Sequence, residues 1–96
     1  MDIGTRIKTM HCGEVNAIKS PALEKIYHCS GAEIRKQINE LRRMGNPICS
    51  TRKGYFYASS VQEATTTIKQ LESRATRITE AKNGILRGIK GSDLNG

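Results

Sequence analysis

The sequence predicts a mainly α-helical fold with one small β-hairpin: three helices that close a core, the hairpin, and a long C-terminal helix. Three observations lead there. Apolar residues recur at helical spacing in three short runs, each set off by capping or terminating residues. Around Arg52-Lys53-Gly54 the pattern changes to short segments rich in β-formers. From Val61 onward apolar residues step by three and four in a seven-residue repeat. The 96 residues are 36% hydrophobic, which supports one modest core and not two.

The elements follow in order. Asp2 is placed to cap a first short helix with Ile3, Ile7 and Met10 on one face and Gly13 as its terminator. After a linker from Glu14 to Lys19, Ser20 and Pro21 are an N-cap and N1 pair, because proline has no amide donor to lose there. Ala22, Leu23 and Ile26 give this second helix its inward face. It ends quickly, because Ser30-Gly31-Ala32-Glu33 has the spacing of a capping box, with a turn of about three residues before it. Ile34, Ile38 and Leu41 carry the third helix, from about Ser30 to Met44, and Gly45-Asn46-Pro47 closes it.

Pro47 to Thr51 and Gly54 to Ala58 form the hairpin, with a basic tip at Arg52 and Lys53. Ser60-Val61-Gln62-Glu63 is a second capping-box match and opens the fourth helix, expected from Val61 to Lys82. Its seam of Val61, Ala64, Ile68, Leu71, Ala75 and Ile78 is about 33 Å long at about 1.5 Å per residue. Beyond it Asn83-Gly84, Gly88, Gly91 and Gly96 make a permissive, polar tail, and fraying is expected after about Leu86. The expected organisation is a unit of three helices and the hairpin over 1–58, a C-terminal helix over 59–86 and a flexible tail over 87–96.

Lys and Arg total 16 against 9 for Asp and Glu, a net charge of +7, so the partner should be acidic: nucleic acid or an anionic surface. Three cysteines, Cys12, Cys29 and Cys49, without a CxxC pair argue against a disulfide framework or a common zinc site, so no metal and no cofactor are expected. A reducing, cytoplasmic location fits them. The start of the chain has neither a basic leader nor an apolar run, and no apolar stretch nears the roughly 20 residues of a bilayer span. No enzyme is expected either, since neither a nucleophile motif, a phosphate-cradling glycine loop nor paired acids occur. No small-molecule ligand is evident.

The charge is concentrated. Gly31 to Gly54 holds Arg35, Lys36, Arg42, Arg43, Arg52 and Lys53 against Glu33 and Glu40, six against two, a net +4. On a helical wheel Ala32, Lys36, Asn39 and Arg43 oppose the apolar stripe of the third helix, with Arg35 alongside. In a major groove Arg and Lys read guanine and Asn pairs with adenine, which makes Ala32, Arg35, Lys36 and Asn39 the candidates for base reading. Ser20, Arg42, Arg43, Arg52 and Lys53 are the candidates for phosphate contacts. The same pattern suits the solvated face of an ordinary amphipathic helix. The short preceding helix, the capping box and the basic hairpin together favour DNA.

Tyr55, Phe56 and Tyr57 can stack bases or cover the helical core, and Phe56 with one tyrosine is expected on the core. The seam of the fourth helix either folds back on its own chain or pairs with a second copy. Dimerisation is favoured, because the helix otherwise exposes much of its apolar face.

Ser20, Leu23, Ser30, Ile34, Lys36, Ile38, Leu41-Arg42, Gly45, Ile48 and Gly54-Tyr55 resemble in spacing the N-terminal winged helix-turn-helix domain of the biotin repressor and its relatives. The resemblance covers Ser20 to Tyr57 and implies a three-helix core plus wing with the third helix in the major groove. Nothing here matches the ligase domain of that repressor or its nucleotide-binding glycine motif, so biotin chemistry is not implied. The C-terminal helix in its place is similar in architecture to PadR-type and small phage or plasmid regulators. The expected function is sequence-specific binding of double-stranded DNA by a small homodimeric transcriptional regulator of bacterial or phage type. The alternative is a replication or recombination accessory module that uses the helices as a scaffold and residues 61–82 to bind a protein partner.

Overall fold

A computed structural model describes residues 1–91. Asp2 Oδ1 accepts the amide of Thr5 at 2.7 Å and starts α1 (Ile3–Met10), a bond that holds the Asp2 carboxyl below its ordinary pKa. Ile3 and Ile7 are buried, but Met10 is exposed, because the helix stops at His11, whose amide bonds to the Ile7 carbonyl. Gly13 therefore does not end the helix. It takes φ +83° further on and donates its amide to Tyr57 O at 2.8 Å.

The stretch read as a linker is structured. A single 3-10 turn spans Glu14–Asn16, and Ile18 exchanges two backbone hydrogen bonds with Tyr55, at 2.9 and 2.8 Å. Helix α2 (Ser20–Tyr27) is capped by Lys19 without a side-chain bond, not by Ser20, whose hydroxyl donates to Glu24 Oε2 at 3.0 Å. Its inward line is Leu23, buried, and Tyr27, packed on the core, one turn apart; Ala22 and Ile26 are exposed. His28, in the left-handed conformation at φ 52°, ends it.

Helix α3 (Gly31–Arg43) has Ser30 as N-cap and Met44 as C-cap, close to the expected span. The serine half of each capping box forms: Ser30 Oγ accepts from Glu33 N and Ser60 Oγ from Glu63 N. The glutamates look elsewhere. Glu33 accepts from Gln37, while Glu63 accepts from Ser59 N, Ser59 Oγ and Glu14 N, which lowers its pKa and ties the start of the last helix to the 3-10 turn.

Strands β1 (Ile48–Thr51) and β2 (Gly54–Tyr57) pair antiparallel with Ile48 opposite Tyr57 and Cys49 opposite Phe56. The alternation of strand side chains divides the hairpin into two faces. Ile48, Tyr55 and Tyr57 join Ile3, Ile7, Leu23, Ile34 and Ile38 in the helical core. Cys49 and Phe56 are buried on the other face, towards α4 (Val61–Lys90). So the two tyrosines cover the helical core, and Phe56 does not, contrary to the sequence expectation.

Helix α4 runs to Lys90 instead of Lys82, passing through Asn83-Gly84 and Gly88, so residues 87–90 are helical; the tail from 92 lies outside the described residues. It packs on β1 through Thr67, which is buried and accepts from Ser50 N at 3.3 Å. From Ile68 to Lys90 every residue except Gly84 is exposed. The radius of gyration, 17.6 Å against about 12 Å for a compact chain of this size, reflects that projecting arm. No helix among the described residues is long and apolar enough to cross a membrane.

Gly54 has φ +123°, and a Cβ there would collide with the Ile18 carbonyl. Gly54→Ala is therefore expected to lower stability by at least about 2 kcal/mol, read as the midpoint shift in urea denaturation. An unchanged midpoint would mean that the close approach of Ile18 to β2 is not kept in solution.

Candidate nucleic-acid interface

Charge on α3 is polarised across its width. At about 100° per residue, Glu33, Gln37 and Glu40 lie to one side of the buried Ile34–Ile38 stripe, and Arg35, Asn39 and Arg42 lie to the other. Ala32, Lys36 and Arg43 stand at the exposed crest. The hairpin and α4 adjoin the basic side. Between them, α3 and the start of α2 lies a groove of about 690 Å³ that gathers Arg35, Asn39, Arg42 and Arg52 with Lys19 and Arg74. No acidic side chain among the described residues lines it.

Arg42 has two tasks. Its Nε donates to Ile48 O at 2.8 Å and its Nη2 to Ser50 Oγ at 3.2 Å, so it fastens β1 to α3. A longer contact, 3.4 Å from Nη1, reaches Asn39 Oδ1 and steadies that side chain. Burial lowers the pKa of Arg42, the positive Arg74 acting in the same direction, yet a guanidinium stays charged at neutral pH. Arg42, a candidate for phosphate contacts by sequence, is thus half-buried and also holds the fold together.

The hairpin tip splits. Arg52 turns into the groove, while Lys53 Nζ lies 3.8 Å from Glu14 Oε1 outside it, a solvent-exposed pair of small energetic worth. Ser20 lines the groove with its hydroxyl engaged by Glu24. Of the residues assigned to base reading, Arg35 and Asn39 face the groove, whereas Ala32 and Lys36 are exposed on the crest with Arg43, outside it.

Sequence reasoning passed over Lys19, Gln70 and Arg74, all in the groove wall. Lys19 lay in an apparent linker. Arg74 sits beside the seam residue Ala75, a spacing that places it on a helix flank but cannot reveal that α4 crosses the hairpin. Within the seam, Leu71 touches the groove and Ala64 is half-covered, while Val61, Ile68, Ala75 and Ile78 are exposed, Ile78 at 70%. Helix α4 therefore does not fold its seam onto its own chain.

The three cysteines are free, Cys12 exposed and Cys29 half-buried. Cys49 is buried, which raises its thiol pKa and leaves it protonated at neutral pH. No protein-family model matches the chain, and neither does any curated protein or solved structure.

Replacing Arg42 with alanine is expected to cost about 2 kcal/mol of folding stability, since charged hydrogen bonds to a buried carbonyl are lost. Arg42→Lys, which keeps the charge but not the fork, should also destabilise. Thermal melts of both variants check this. A lysine variant as stable as the parent would assign Arg42 to the surface and not to the clamp.

Proposed function

We propose that the chain is a double-stranded DNA-binding protein of the winged helix-turn-helix type, with α3 as the recognition helix and the hairpin as the wing. The observation that carries this reading is the polarisation of α3: basic and amide side chains on the hairpin side and at the crest, acids on the far side. Glu33 and Glu40 have the spacing to neighbour Lys36 and Arg43 at the crest, whereas the side of Arg35, Asn39 and Arg42 carries no acid of α3 to offset it. In the proposed pose the N-terminal half of α3 enters the major groove. Arg35, Lys36 and Asn39 then meet base edges, Ala32 makes the close approach, and Arg43 and Arg52 take phosphates. Sequence specificity in a small regulator is the role that follows.

We also propose that α4 pairs with α4 of a second copy. Thirty residues of helix extend about 45 Å, and beyond Thr67 the helix has little support from its own chain. Isolated helices are marginal in water, and this one presents Ile68, Ala75, Ile78, Ile85 and Leu86 uncovered. A symmetric homodimer is the commonest arrangement that covers such a seam.

Fluorescence anisotropy with labelled duplexes tests the first part. Affinity should fall steeply with salt, as counterion release requires, and the double variant Arg35→Ala, Lys36→Ala should bind about tenfold or more weakly. Lys8→Ala, on α1, should match the parent. A flat salt response, or equal losses in both variants, would remove the assigned face from the interface.

Sedimentation equilibrium tests the second part. The parent chain should be a dimer at micromolar concentration, and Ile78→Glu, which puts a charge at an exposed seam position, should be a folded monomer. A monomeric parent would rule out self-pairing.

A further inference from the structure

Two cations of the groove belong to neither α3 nor the hairpin: Lys19, at the start of α2, and Arg74, on α4. They face Arg35, Arg42 and Arg52 across the same hollow. Arg74 is near enough to Arg42 to add to the effect of burial on that guanidinium. Like charges gathered around one space repel, and fixed anions would normally be interspersed to offset them. Here no carboxylate among the described residues lines the hollow, and the acids of α3 stand on its opposite side. Such an arrangement raises the positive potential in the hollow and draws anions to it.

The shape narrows the choice. A volume of about 690 Å³ lies in the range of sites for drug-sized ligands, room enough for a short stretch of a single backbone. Apart from the cations, the walls are hydroxyls and amides from Ser50, Thr51 and Gln70, which suit phosphate oxygens, with Tyr55 and Leu71 beside them.

We propose that this groove grips the phosphodiester backbone of one strand of the duplex, next to the bases that α3 faces, with Arg74 and Lys19 each supplying a phosphate contact. The proposal rests on the reading of the chain as a duplex-DNA binder and makes α4 part of the DNA interface as well as an arm for self-pairing. Arg74 and Lys19 each act through their positive charge, so that a lysine can stand in for Arg74. Because phosphates carry no sequence information, both contacts strengthen all duplexes alike.

Arg74→Ala, Lys19→Ala and Arg74→Lys in the full chain, titrated with two duplexes of unrelated sequence over a range of salt, decide the matter. Each alanine variant should weaken binding about three- to tenfold on both duplexes and reduce the salt slope by about 1. Arg74→Lys should keep the parent slope, and sedimentation of Arg74→Ala should match the parent. Parent-like affinity and slope in both alanine variants, with the Arg35 and Lys36 double variant still weakened, would overturn the groove contact and leave the reading of α3 standing. Parent-like binding by that double variant too would overturn both. A loss confined to one duplex, a loss that lysine does not restore, or tighter binding to a single strand of the same sequence would each overturn the proposed backbone grip.

Discussion

The hairpin is the constraint on which the rest of the structure depends. Two strands of four residues are not stable alone in water, and this pair is held by burial on both faces. Strand alternation sends Ile48, Tyr55 and Tyr57 into the three-helix core and Cys49 and Phe56 towards α4. Polar ties set the alignment, among them Arg42 to the Ile48 carbonyl, Thr67 to the Ser50 amide, Gly13 to the Tyr57 carbonyl, and Ile18 paired with Tyr55. The angle between α3 and α4, and with it the groove between them, is inherited from this layer. A fault in the hairpin would therefore move cations on three separate elements at once.

Electrostatics and packing pull against each other at this layer. Arg42 lies half-buried so that its fork can hold β1, and burial of a cation is tolerable because its donors meet a carbonyl and a hydroxyl. Arg74 and Arg52 then approach the same region, and no acid among the described residues lines it. On the outer side of the hairpin the opposite arrangement holds. Glu14 meets Lys53, and Glu63 accepts two hydrogen bonds from Ser59 and a third from Glu14 N, which binds the 3-10 turn to the start of α4. Carboxylates serve the structure on one side, while on the other no carboxylate among the described residues lines the cationic groove. Under the proposed reading that division is functional, because the cationic side is the one turned to a polyanion.

Much of this was legible in the sequence, and the pattern of what was not is physical. Helix starts were readable because capping is local: Asp2, Ser30 and Ser60 each bond an amide three residues on. Helix ends were less so. Asn83-Gly84 and Gly88 read as a break, yet glycine inside a helix costs only about 1 kcal/mol each, which the surrounding helix formers offset. The linker was misread because its order comes from β2, and Ile18 pairing with Tyr55 is a contact between residues far apart in the chain. The same limit applied to the site. Arg35 and Asn39 could be found on one helix by periodicity, whereas Lys19 and Arg74 enter the groove only through tertiary placement.

Leu71 joins the two proposed roles of α4. It belongs to the apolar seam by the seven-residue spacing, and it also lines the groove, one turn before Arg74. Pairing of the seam with a second copy would limit rotation of α4 about its axis at this point, and Arg74 would be fixed with it. A lone helix that extends well past its last firm contact at Thr67 bends easily, so its cation would be held loosely in a single chain. Ordering Arg74 by assembly in advance would lower the entropic cost of gripping a phosphate. Linkage then requires the converse: if dimerisation strengthens the grip, occupation of the groove must strengthen dimerisation by the same factor.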